Sequence, residues 1–129
     1  MTNELIVAKI IEIQAANPAL YLGLRWHHGI CGCKTWKDDE EFTPLRVGDV
    51  APTSYEWDDG EPTDVELNGT SCIDLDKYTV EEAVKMATSY DDYGPGQLVL
   101  LGSKDAGWMG QDVCETVFDI DTTTVLATF

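Results

Sequence analysis

The sequence predicts one α+β domain over residues 1–129, with two helices, a mainly antiparallel sheet of about five strands and a long irregular acidic loop region. Three observations predict it. Two segments repeat apolar residues at helical spacing, and several short runs alternate with period two between clusters of Gly, Pro and Asp. The 129 residues fit one domain, and the 43% apolar content, with Trp26, Trp36, Trp57 and Trp108, suffices for a packed core.

The first helix is expected over residues 3–16, where Leu5, Ile6, Ile10 and Ile13 recur at helical spacing. Thr2 or Asn3 can cap it, and Asn17-Pro18 stops it. Leu20-Tyr-Leu-Gly-Leu-Arg-Trp-His27 then alternates with aromatic and branched groups, which suits a strand over residues 19–27. From Gly29 to Gly69 the periodicity is poor and only residues 45–50 suggest a brief strand. So long an irregular stretch in a small domain is more often functional or mobile than inert.

The second half is more regular. Ser71-Cys-Ile-Asp-Leu75 alternates as a short strand, and Thr79-Val-Glu-Glu82 is a capping-box pattern. It opens a helix that runs to about Tyr90 with Val80, Ala83, Val84 and Ala87 on one face. Asp91 to Gly96 reads as a turn and Leu98-Val-Leu-Leu101 as a buried strand, followed by a loop through Gly110. Residues 113–118 and 123–129 read as two strands of a hairpin across Asp119-Ile-Asp-Thr122. No internal repeat interrupts this order.

Charge narrows the function. The chain carries 24 acidic residues against 8 Lys plus Arg, a formal net charge of −16. Such a surface repels nucleic acid and anionic membranes and attracts basic protein surfaces. The N-terminus has no basic stretch, and Lys9 and Glu12 interrupt the apolar run from Leu5 to Ile13. The expectation is therefore a cytoplasmic protein without a leader or membrane span, its cysteines kept as thiols or ligands. The acidity is also local. Asp38, Asp39, Glu40 and Glu41 form one block and Asp58, Asp59, Glu61, Asp64 and Glu66 a second, with Arg46 the only base between Asp38 and Glu66. Trp36, Phe42, Tyr55 and Trp57 interleave the same stretch, and interface cores favour aromatics while charges steer.

Other chemistry is weaker. His27-His-Gly-Ile-Cys-Gly-Cys33 gathers four donors that zinc accepts, His27, His28, Cys31 and Cys33, but a closed site needs help from Cys72 or Cys114 far along the chain. A strand end, a turn and small buried thiols are the plainer reading. A cysteine nucleophile among Cys31, Cys33 and Cys72 with His27 or His28 has the residues but no local signature. Asp58-Asp-Gly60 lacks the alternating carboxylates of a calcium loop and reads as a turn, and Gly94-Pro-Gly96 lacks the Lys-Ser/Thr of a phosphate loop. Arg25, Thr70-Ser71 and Glu115 faintly echo the order of ADP-ribosyltransferase residues. No cofactor is implied.

Residues 47–72, from Val47-Gly-Asp-Val50 through Trp57-Asp-Asp-Gly-Glu-Pro-Thr-Asp64 to Asn68-Gly-Thr-Ser-Cys72, resemble a motif of small uncharacterised acidic proteins of phages, prophages and mobile elements. Residues 110–126, with Gly110-Gln-Asp-Val-Cys-Glu-Thr-Val-Phe118, are similar to the strand pair that closes those proteins. The resemblance implies a mobile-element protein and transfers no catalytic residue. Together with the charge it gives the leading expectation: a non-enzymatic inhibitor, of anti-defence type, whose carboxylates mimic nucleic acid and cover the basic nucleic-acid-binding surface of a partner protein. Trp36, Tyr55, Trp57 and the two acidic blocks would form its contact surface. The alternatives are a binder or sponge of a small molecule or nucleotide signal, using Arg25, Arg46 and Lys104, and a small cysteine- or ADP-ribosyltransferase-like enzyme.

Overall fold

The structure, a computed structural model, describes residues 2–27, 44–51, 53–58, 61–89, 96–109 and 116–129. Their order is α1 (Asn3–Ala16), β1 (Tyr21–His27), β2 (Tyr55–Asp58), β3 (Glu61–Glu66), β4 (Gly69–Asp74), α2 (Val80–Thr88), β5 (Gln97–Ser103), β6 (Trp108–Met109), β7 (Thr116–Asp119) and β8 (Thr123–Thr128). The α+β class holds, with all described pairings antiparallel. Among the described residues eight strands stand where about five were expected, six in one sheet of order β6-β7-β4-β1-β5-β8 and two in a separate sheet of β2 and β3. No helix among the described residues is long and apolar enough to cross a membrane.

Both helices follow their local signals. Thr2 Oγ1 accepts a hydrogen bond from the Leu5 amide at 3.3 Å, and Asn17 closes α1 through its side-chain amide to the Ile13 carbonyl at 2.9 Å. In α2 the capping box is complete: the Glu82 amide donates to Thr79 Oγ1 at 3.1 Å and the Thr79 amide donates to Glu82 Oε1 at 3.2 Å. Val80, Ala83, Val84 and Ala87 are all buried, while on α1 Ile6 and Ile10 point inward and Leu5 faces solvent.

The two helices cover one face of the sheet. Ile6, Ile10 and the α2 stripe pack with Leu22, Leu24, Ile73, Leu98, Leu100 and Ala127. The other face holds a second cluster of Ala51, Cys72, Val99, Leu101, Phe118 and Val125. Strand β5 thus feeds both clusters, as its unbroken apolar run Leu98–Leu101 foretold.

The predicted hairpin at the C-terminal end is corrected. Its turn forms, with the Thr122 amide donating to the Asp119 carbonyl at 3.2 Å and Thr123 Oγ1 to the same carbonyl at 2.6 Å. The strands do not pair: β7 lies on β4 and β8 lies on β5. Three strands separate them in the sheet order, which is ~19 Å across a flat sheet at about 4.8 Å per strand. Yet the chain from Asp119 to Thr123 reaches at most ~14 Å. The sheet must therefore curl, and it curls over the second cluster, which holds both Phe118 of β7 and Val125 of β8.

Local features permit the curl. Leu126 is an extra residue in β8, between the pairs Leu101↔Val125 and Leu100↔Ala127, and this bulge turns Val125 to one face and Ala127 to the other. At Gly23 an added Cβ would meet Cys72 Sγ at 2.2 Å and Phe118 Cε2 at 2.9 Å, so only glycine lets Phe118 cross β1 so closely.

The strand expected over residues 45–50 is also corrected. Residues 46–49 form a turn, with the Asp49 amide donating to the Arg46 carbonyl at 3.0 Å and Gly48 at φ 92°. Among the described residues of this segment only Val50 bridges β8, at Thr124. Flanking bonds from the Gly48 amide to the Val125 carbonyl (2.8 Å) and from the Val125 amide to the Asp49 carbonyl (2.9 Å) lay this segment along β8.

Candidate functional site

Part of the stretch expected to be irregular is a hairpin. Strands β2 and β3 pair Asp58 with Glu61, Trp57 with Pro62 and Tyr55 with Glu66, with an irregularity between the last two. Pro62 lacks an amide donor, which fits a two-stranded ribbon better than a central strand. The ten residues of the two strands include Glu56, Asp58, Glu61, Asp64 and Glu66 and no base. The register sets Asp58 directly across from Glu61. Like charges in that position destabilise a strand pair, and nothing in the hairpin's own composition offsets them.

An isolated hairpin is marginal in water, so its base needs an anchor. Ser54, the residue before β2, supplies it. Its amide donates to the Gly69 carbonyl at 2.9 Å, and its carbonyl accepts from the Leu67 amide at 2.8 Å. Its Oγ accepts from the Ser71 amide at 3.2 Å and from Arg25 Nη1 at 3.1 Å. Ser54 is only 2% exposed and Arg25 only 4%.

Arg25 lies where β1 and β4 separate. Their pairing stops at Leu24↔Ile73, and beyond it Arg25 Nη1 donates to the Ser71 carbonyl at 3.0 Å. A buried guanidinium is costly unless its donors are used; here it takes the place of ladder hydrogen bonds. Composition gave no hint of this, because the partner serines are 29 and 46 positions away.

A second polar knot lies farther along β4. Asp74 Oδ2 accepts from Thr116 Oγ1 at 3.1 Å, and Lys77 Nζ donates to the same Thr116 oxygen at 3.2 Å. Asp74 Oδ1 accepts from the Asp76 amide at 2.8 Å, closing the turn that leads into α2. The knot ties that turn to β7, and sequence reading missed it for the same reason of distance.

Of the expected contact residues, Tyr55, Trp57, Asp58, Glu61, Asp64 and Glu66 are brought together on one hairpin. Trp36, Asp38, Asp39, Glu40, Glu41, Phe42 and Asp59 lie outside the described residues, as do His28, Cys31, Cys33, Cys114 and Glu115. His27 is buried at the end of β1, opposite Gln97. Among the described residues no group of three or more His, Cys, Asp or Glu could hold a metal ion. Cys72 is 2% exposed and packs in the second cluster, as a small apolar side chain would. Arg25 meets Ser71 through the Ser71 main-chain carbonyl, and Arg25 itself is buried. Arg46 and Lys104 are exposed, and Lys104 follows Ser103, which pairs with Tyr21 at the far end of β1 from the Arg25–Ser54 contact. The three bases therefore do not line a common enclosed site.

No protein-family model, curated protein or solved structure matches this chain.

Proposed function

We propose that this is a non-enzymatic acidic binding protein of phage or mobile-element type, acting in the cytoplasm as an inhibitor of a partner protein. Its carboxylates stand in for nucleic-acid phosphates and cover a basic surface of that partner. The β2–β3 hairpin is the contact element, and the acidic block Asp38 to Glu41 and Trp36, which lie outside the described residues, are proposed as further contact residues on sequence alone.

The observation that carries this reading is the register that sets Asp58 across from Glu61 on a ribbon without a base. Two acidic residues at one register position, in strands that hold no base, suit a partner that brings Arg or Lys to them. Charge-assisted hydrogen bonds of that kind are made to carboxylate as readily as to phosphate. The aromatic residues in the same strands supply the apolar contact that charge alone lacks.

The test is capture of proteins from a cell lysate at low salt on the wild-type protein and on the triple variant Asp58→Lys, Asp59→Lys, Glu61→Lys, with elution by a salt gradient. Basic nucleic-acid-binding proteins should be held by the wild type, leave as salt rises and fail to bind the triple variant. Equal retention on both, or elution independent of salt, contradicts the proposal.

A further inference from the structure

We infer that Arg25 is the positioning residue of the acidic hairpin: its buried guanidinium fixes the point and direction at which β2 and β3 leave the main sheet. The inference rests on reading that hairpin as the contact element, and it adds the device that presents it.

Strand β1 is a firm reference, since all seven of its residues pair with β5. On its other side the ladder to β4 stops at Leu24↔Ile73, and the next inward-facing position is Arg25. From there Nη1 reaches two acceptors in different segments, the Ser71 carbonyl of β4 at 3.0 Å and Ser54 Oγ at 3.1 Å. Ser54 is itself bonded across the hairpin base, to Leu67 and Gly69 on the chain that returns from it. One side chain therefore locks three segments: the central strand, the strand that receives the hairpin and the residue from which it departs.

An apolar residue would suit this interior position on β1 better by transfer free energy. What it could not do is hold two oxygens at once. Arginine can from one nitrogen, because the two N–H groups of Nη1 are held at a fixed angle in the guanidinium plane, whereas the N–H groups of a lysine ammonium turn freely. The serine hydroxyl completes the arrangement, accepting from the guanidinium and from the Ser71 amide and lying 3.3 Å from Ser71 Oγ.

The full-length protein with Arg25→Met, Arg25→Lys or Ser54→Ala tests this by residue-resolved amide hydrogen exchange and by titration with an oligo-arginine peptide at low salt. Ser54→Ala removes the shared acceptor and leaves β1 intact, so it serves if Arg25→Met does not fold. Exchange at residues 55–58 and 61–67 should accelerate about tenfold or more in Arg25→Met and Ser54→Ala, with α2 and β5 nearly unchanged. Peptide affinity should fall in parallel, and Arg25→Lys should recover part of both. Exchange that accelerates equally in α2 and β5 makes Arg25 a general core residue and overturns the inference, as does unchanged exchange in the hairpin. If exchange changes as expected but the wild-type protein does not bind the peptide in a salt-dependent way, the positioning role stands and the binding reading fails.

Discussion

Gly23 and Phe118 show how one residue constrains the whole sheet. Phe118 is fully buried and lies over β1 at the only kind of residue that admits it. Gly23→Ala gains strand propensity but drives a methyl group into Cys72 Sγ and the Phe118 ring. Overlap wins, and the expected cost is about 1–3 kcal/mol in a urea melt. The companion Cys72→Ala in the Gly23→Ala background should recover part of that loss, because Sγ is the nearest atom to the added methyl. Additive effects in the double variant would show that the close approach does not limit the packing. Residue-scale legibility followed sequence distance. The Thr79–Glu82 capping box was readable because its partners are three positions apart, whereas the Arg25–Ser54 contact spans 29.

For whole elements, alternation identified strands well and their partners poorly. Strands β7 and β8 were both foreseen, and the tight turn between them made a hairpin the natural inference. The curl defeats it, because β7 finds a better neighbour in β4 and β8 in β5 once Phe118 and Val125 share an interior. The β2–β3 ribbon was hidden for a different reason. Its acidic residues and Pro62 read as loop, and only the register reveals the ladder. That register makes an unusual prediction for Glu61→Lys. An opposite charge across from Asp58 should stabilise the hairpin by about 0.2–1 kcal/mol, seen as slower amide exchange in β2 and β3. The same change should weaken binding to a basic partner. A variant whose hairpin is less protected than wild type would refute the assigned register.

Across the whole molecule, the net charge of −16 acts on folding and on binding with opposite sign. Self-repulsion opposes compaction, so added salt should raise the thermal midpoint as screening shortens the reach of the charges from ~30 Å at 10 mM to ~8 Å at physiological strength. The same screening should weaken partner association. A thermal midpoint that falls over this range would mean that attractive ion pairs, rather than repulsion, dominate the folded surface. The class of the fold and the concentration of acid between the two ordered halves were legible in the sequence. What the sequence left out was geometry: a sheet curled on itself, and a buried arginine bonded to Ser54 at the base of the β2–β3 ribbon.

The proposal that this ribbon engages a basic protein surface is tested most directly by salt-gradient elution of captured partners from the wild-type protein and from the Asp58→Lys, Asp59→Lys, Glu61→Lys variant. The account predicts basic nucleic-acid-binding proteins on the wild type alone, released as salt rises. Identical captures on the two proteins, or release that ignores salt, would contradict it.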